Sequence, residues 1–235
     1  MTLKTVMKEL NELENEQTKK IYIRHGAREP LYGVKIADLK KLVKKIRTNH
    51  TLALELYDTD NSDAMYLAGL IADPNVVSRE ELRKWVNGAY WYMLSEYTVA
   101  GLATDSPHGW QLAIEWINSD QGMIESAGWS TLSNWVSITP DENIHMDAIS
   151  EFMQLVIERI STSKNRVRYT MNEFIIAVGS FVKPLSNEAI ETARLIGKVE
   201  VDMGGTACKV PLAKQYIEKV ISSGRLGNKR KQARD

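Results

Sequence analysis

The sequence predicts an all-α fold, a solenoid of stacked antiparallel helices with one small β-hairpin near its C-terminal end, and three observations carry the helical part. Apolar residues recur at the i, i+3, i+4 spacing of a helix face through most of the 235 residues. Prolines and capping residues stand between those periods and not inside them: Pro74, Ser78 with Glu81 three residues on, Ser106 before Pro107, Pro140, Pro184 and Ser186. All six tryptophans lie between Trp85 and Trp135, and the aromatic pairs Trp91 and Tyr97, Trp110 and Trp116, Trp129 and Trp135 are each displaced by 19 residues from the one before. That interval is one helix plus a short connection, so successive helices are expected to present aromatics at equivalent depths.

The elements follow in order. Leu3, Val6, Met7, Leu10 and Leu13 mark one face of a first helix running from Thr2 to about Lys19. A basic connecting loop then carries Lys19, Lys20, Arg24, His25 and Arg28 around Gly26 and Pro30, as far as Gly33. The next helix buries Ile36, Leu39, Leu42, Val43 and Ile46 and bears Lys35, Lys40, Lys41, Lys44, Lys45 and Arg47 against the single acid Asp38. Helical patterns recur near 60–72, 78–87, 90–103, 106–118, 121–138, 144–162, 165–182 and 186–197, and pairs repeating at roughly 40 residues fit a HEAT-type solenoid better than a bundle. In residues 198–211 the apolar positions alternate around Gly204 and Gly205, which predicts a β-hairpin with Glu200 facing Lys209, Val201 facing Cys208 and Val199 facing Val210. Pro211 opens a last helix. Arg225, Lys229, Arg230, Lys231 and Arg234 then crowd a polar end, so residues 1–224 read as one domain and 225–235 as a basic flexible tail.

Composition narrows the function. Thirty basic and thirty acidic residues give zero formal charge, but the charge is segregated. No Lys or Arg falls between Trp85 and Glu158, while acids recur there from Glu96 and Asp105 to Glu151, so bare phosphate would not seek out this block. Only Cys208 is present, which excludes an internal disulfide and a cysteine-rich metal site and fits a reducing, cytoplasmic setting. No apolar run reaches the ~18 residues that span a bilayer. Walker, GxGxxG and HExxH patterns are missing, and His25, His50, His108 and His145 lie far apart, so neither a metal nor a cofactor is expected. The tryptophans read first as core. The cationic helix is either a solvated face or an electrostatic footprint for phosphates.

Four short motifs carry a resemblance. The turn Leu31, Tyr32, Gly33, Val34 before the basic helix, the AYWYMLSEYTV segment beginning at Ala89, the Ser119 and Asp120 step before a Trp-bearing helix, and the SKN-R segment from Ser163 to Arg166 together resemble the DNA alkylation repair family. The resemblance spans nearly the whole chain and implies HEAT-like repeats. Glycosylases of that family, typified by AlkD, remove alkylated bases in a tryptophan-lined cleft with an Asp on the helix after a Trp-Trp pair. Tyr90 and Trp91 match the pair, so the Asp position falls on Ser95, whose neutral hydroxyl neither stabilises a sugar cation nor serves as a base. Glu96 is next in sequence but about 100° round a regular helix. An Arg of the active enzymes falls near Glu125 and Ser126, and Phe174 matches a further cleft aromatic. These losses, with the hairpin, resemble the AlkF and AlkG branch, whose members lack glycosylase activity and show affinity for branched DNA.

The expected function is therefore DNA binding, duplex or branched, by a monomer that does not remove bases. Expected phosphate contacts are Lys19, Lys20, Arg24, Arg28, Lys35, Lys40, Lys41, Lys44, Lys45 and Arg47, then Lys164, Arg166 and Arg168, then Lys198, Lys209 and Lys214, with the tail in addition. Tyr90, Trp91 and Phe174 are the expected cleft aromatics. The alternatives are a glycosylase using Glu96 and a protein-interaction scaffold. The hairpin is either a staple between the last two helices or a ribbon whose tip at Gly204 and Gly205 probes a groove at a junction.

Overall fold

In the computed structural model, which describes residues 1–204 and 208–234, the first helix ends sooner than its apolar spacing predicts. The Asn15 side chain accepts the backbone N–H of Thr18 at 2.9 Å and caps a new helix, so the expected single helix is two, α1 (Leu3–Glu12) and α2 (Glu16–Arg24). Lys19, Lys20 and Arg24 consequently stand on a helix and not in a loop. The turn that follows is built around a buried carboxylate: Asp63 accepts the backbone N–H groups of Tyr32 (2.7 Å), Gly33 (3.0 Å) and Val34 (2.9 Å). Gly33 has φ +76°, and a Cβ there would lie 2.5 Å from the Lys19 nitrogen, so only glycine fits this crossing.

The remaining helices are α3 (Ile36–Ile46), α4 (His50–Tyr57), α5 (Ser62–Ile71), α6 (Arg79–Gly88), a π-helix (Met93–Val99) running into α7 (Ala100–Asp105), α8 (Gly109–Ile117), α9 (Gly122–Ile138), α10 (Met146–Arg159), α11 (Asn165–Phe181), α12 (Ser186–Ile196) and α13 (Ala213–Ser222). The capping box expected at Ser78 is present, with Ser78 Oγ accepting the Glu81 N–H and the Glu81 carboxylate accepting the Ser78 N–H at 2.7 Å. Two rows result. α3, α5, the π-helix, α9, α11 and α13 pack in sequence as one row, while α4, α8 and α12 back onto α5, α9 and α11. Between α8 and α9 the backbones approach so closely that a Cβ on Gly128 would lie 2.6 Å from the Ile117 nitrogen. The first row lines the clefts described below.

The tryptophan pairs are core, but not at equal depth. Trp91, Trp116 and Trp129 are fully buried, whereas Tyr97 is 51% exposed and Trp110 and Trp135 are half-buried. The order reverses in α8 because that helix runs against its neighbours, which also brings the start of α8 to the end of α9 and sets the Trp110 and Trp135 rings 4.6 Å apart.

The β-hairpin is not found. No strand occurs among the described residues, and Gly205 lies outside them. The hydrogen-bonding groups that a ladder would use are taken by α11: the Asn165 amide donates to the Asp202 carbonyl (2.8 Å) and accepts the Asp202 N–H (2.7 Å), and Asn172 donates to the Pro211 carbonyl (3.0 Å). Gly204, with φ +68°, closes a local turn by donating to the Asp202 side chain at 2.9 Å. Glu200 pairs with Lys198 at 3.0 Å and not with Lys209. The alternation that suggested strands records an extended chain with Val199, Val201 and Val210 turned onto the helical core.

Candidate nucleic-acid interface

Met93–Val99 is wound as a π-helix, with the Thr98 hydroxyl bonding back to the carbonyl of Met93 at 3.2 Å, five residues earlier. On this π-helix Glu96 lines the cleft, whereas Ser95 before it is turned into the core. There Glu96 is 5% exposed and meets Arg166 of α11 in a two-pronged pair, Nε to Oε1 at 2.8 Å and Nη2 to Oε2. The guanidinium carbon lies 4.4 Å from the ring centroid of Tyr92 and 4.4 Å from that of Tyr169. Burial pushes the Glu96 carboxyl up and the two bonds from Arg166 pull it back. With both oxygens in contact with the guanidinium, the charged pair is the state that this geometry holds.

Glu173, two turns along α11, makes no ion pair among the described residues. Burial first, and the Glu96 charge second, raise its carboxyl to about 7. Glu96, Tyr97, Tyr169 and Glu173 share a cleft of about 440 Å³ with Lys40, Tyr66 and Asn134. A second cleft of about 570 Å³, lined by Arg24, His25, Tyr92, Arg166 and Lys209, meets the first at Tyr97 and Tyr169.

The aligned cleft residues lie elsewhere. Ser95 is fully buried, its hydroxyl 3.7 Å from the sulfur of Met123. Trp91 and Phe174 are core, Phe174 packing on Trp129 with ring centroids 5.4 Å apart. Tyr90 is tied by its hydroxyl to Ser62 (2.6 Å) and lies under Arg28. Ser126 is also fully buried. The exposed aromatic of the cleft is Tyr97, which the motif alignment missed; the π winding that presents it leaves no mark in local propensity.

The expected cations divide by what faces them. Lys19 pairs with Glu29, Arg28 with Asp60, Lys41 with Asp38, Lys45 with Glu9, Lys198 with Glu200 and Lys214 with Glu218, all within 4 Å. Arg166 is held by Glu96, Lys164 reaches the Asp120 carbonyl, and Arg168 turns toward Asn165. Lys20, Arg24, Lys35, Lys40, Lys44, Arg47 and Lys209 are exposed and make no ion pair among the described residues. On α3 the split follows the helix period: Lys40 and Lys44 share a face that reaches the first cleft, while Lys41 and Lys45 turn to α1.

Residues 225–234, read above as a tail, lie along the C-terminal ends of four helices of the cleft row. Gly227 donates to the Ser180 carbonyl in the last turn of α11 (2.9 Å), and Arg230 N–H to the Ser137 carbonyl in the last turn of α9 (2.8 Å). Lys229 reaches the Val136 carbonyl (2.9 Å) and Asp141 (2.8 Å). Arg234 pairs with Asp105 at the end of α7 (2.8 Å) and donates to the Gly69 and Ala72 carbonyls at the end of α5 (2.7 and 2.9 Å). Helix ends carry unsatisfied carbonyls and partial negative charge, and this segment supplies donors and cations to four in a row. With Glu96 held by Arg166 and Glu115 by Arg83, four acids of the cation-free block obtain their cations from outside it.

Among the described residues no three His, Cys, Asp or Glu converge as metal ligands, and no helix is long and apolar enough to cross a membrane. Comparison with known proteins then gives the lineage. The chain is 39% identical over 217 residues to the uncharacterized proteins Lmo0209 of Listeria monocytogenes and Lin0241 of Listeria innocua, covering 90% of this chain and 93% of each of theirs. A solved structure, described as a new family of proteins related to the HEAT-like repeat DNA glycosylases with affinity for branched DNA structures, superposes with a TM-score of 0.91 at 41% identity, covering 98% of both chains. The family model for DNA alkylation repair enzyme matches residues 6–207, and the chain belongs to that family.

Proposed function

We propose that this protein binds DNA with a preference for branched structures and does not remove bases, as a member of the AlkF and AlkG branch. The observation that carries the reading is the state of the cleft carboxylate. At the position where the family's glycosylases place an Asp stands the buried hydroxyl of Ser95, and the neighbouring Glu96 has both oxygens engaged by Arg166. A carboxylate so engaged is unavailable to orient water or face a sugar cation. The cations without acidic partners, Lys20, Arg24, Lys35, Lys40, Lys44, Arg47 and Lys209, supply phosphate contacts, and the likeness to a structure described as having affinity for branched DNA supports the preferred shape.

One observation favours a base-removing reading: the π-helix does bring Glu96 to the cleft. Incubation with duplex carrying 7-methylguanine or 3-methyladenine decides between them by release of the base. No release is expected. Release that Glu96→Gln abolishes would overturn the reading, and no retention of any DNA at low salt would leave a protein-interaction scaffold as the function.

A further inference from the structure

We infer that Tyr97, with Tyr92 and Tyr169 behind it, is a stacking site for one unpaired nucleobase. The inference rests on the DNA-binding reading and names the part of the ligand that reaches the junction of the two clefts. Tyr97 is 51% exposed although it belongs to the row that lines the clefts, and it contributes to both of them. Its neighbours are rings: Tyr92 meets it edge-on with centroids 6.3 Å apart, and His25 meets Tyr92 at 6.1 Å. The one cation among them, Arg166, contacts the Tyr92 and Tyr169 rings and is neutralised by the buried Glu96.

That cancellation defines the ligand. A phosphate finds no net charge at this point, and Glu173, lining the same cleft, offers it no attraction. What the site presents is a half-exposed aromatic ring, backed by rings that rest on a compensated ion pair, which suits a neutral planar group. Exposed cations line the same clefts, Lys40 in the first and Arg24 and Lys209 in the second, and would meet the backbone that flanks such a base. A fully paired duplex has no base to offer. A branch point that carries unpaired nucleotides does. The exposed Tyr97 and the buried Glu96 stand side by side on the π-helix, and unusual winding of this kind recurs at functional sites.

The test measures affinity of the full chain for three oligonucleotides: a blunt duplex, a three-way junction with two unpaired thymines at the branch, and the same junction with abasic spacers replacing those thymines. Base stacking on one aromatic side chain corresponds to roughly ten-fold or more in affinity. Wild type should bind the thymine junction at least about ten-fold more tightly than the abasic one. Tyr97→Leu should erase that difference while leaving duplex affinity and the unfolding midpoint unchanged, and Tyr97→Phe, which keeps the ring, should preserve it. Equal affinity of wild type for thymine and abasic junctions overturns the stacking site, as does a Tyr97→Leu loss that is equal on duplex and junction, or a Tyr97→Phe loss as large as that of Leu. Failure of wild type to bind any of the three removes the DNA-binding reading itself, a result distinct from binding all three without regard to the branch bases.

Discussion

The two basic segments, residues 19–47 and 225–234, look alike as strings of Lys and Arg, but the fold sets different groups opposite them. In the first, four cations find acids and six, Lys20, Arg24, Lys35, Lys40, Lys44 and Arg47, stand exposed with none. In the second, Lys229 and Arg234 are drawn onto Asp141 and Asp105 and onto carbonyls that end α5 and α9, with side chains only 19% and 15% exposed. A run of positive charge is therefore free to meet a ligand only where the fold leaves it without an internal anion. Lys229 and Arg234 serve the fold, while the six of the first segment, and the exposed Arg225 and Lys231 of the second, make no ion pair among the described residues.

Arg234 separates the two segments most strongly. Replacing it with Ala leaves the Asp105 carboxylate, 10% exposed, without its cation and reopens carbonyls of α5. Loss of one partner from such a pair costs about 3–5 kcal/mol, read as a lower denaturant midpoint, whereas Lys44→Ala should shift that midpoint by less than about 0.5 kcal/mol. An equal response of the two variants would mean that the segment at 225–234 contributes no more to the fold than an exposed lysine.

Glu173 differs in kind, because it is a cleft acid that makes no ion pair among the described residues and burial favours its neutral form. Its folded value of about 7 stands above the ordinary 4.5, so the native state binds more protons than the unfolded chain between those limits. Stability contributed by this group is intact below about pH 4.5 and is lost as pH rises to 7. Glu173→Gln should flatten that decline and exceed wild type by up to ~3 kcal/mol above pH 7, with no advantage below pH 4.5. A parallel pH profile for the two proteins would show the carboxyl to be ionised at neutral pH. The smallest of these effects belongs to the Ser78 cap, where Ser78→Ala should lower stability by about 1 kcal/mol without altering DNA affinity.

Much of the fold is legible in the amino-acid order alone. Helix periods and caps located α5 to α13 to within a few residues, because an amphipathic face and its punctuation are local properties. Asn15 broke the first helix because its cap to Thr18 competes with an apolar pattern that continues across it. The short apolar α4 was not singled out, since its eight residues show little contrast between faces. The hairpin failed for a tertiary reason: the alternation of Val199, Val201 and Val210 is real, but Asn165 took the backbone groups that a partner strand would have used. Which of the expected cations lack an acid partner was not readable from the sequence, and Tyr97 and the buried Glu96 stand on a π winding that spacing rules assume away. The signal that could have placed the C-terminal segment was present as a deficit: the block from Trp85 to Glu158 has acids and no Lys or Arg, so its buried carboxylates required cations from elsewhere in the chain.

On this reading the α3 face carrying Lys40 and Lys44 meets phosphate while the adjacent face carrying Lys41 and Lys45 does not. The difference is tested most directly by the salt dependence of affinity for one three-way junction. Each phosphate contact contributes about 0.9 to the slope of log affinity against log salt on duplex arms, so Lys40→Gln with Lys44→Gln should reduce the slope by about 1.8. Lys41→Gln with Lys45→Gln, which removes cations already paired to Asp38 and Glu9, should leave it nearly unchanged. Equal reductions from the two pairs, or none from either, would contradict the account.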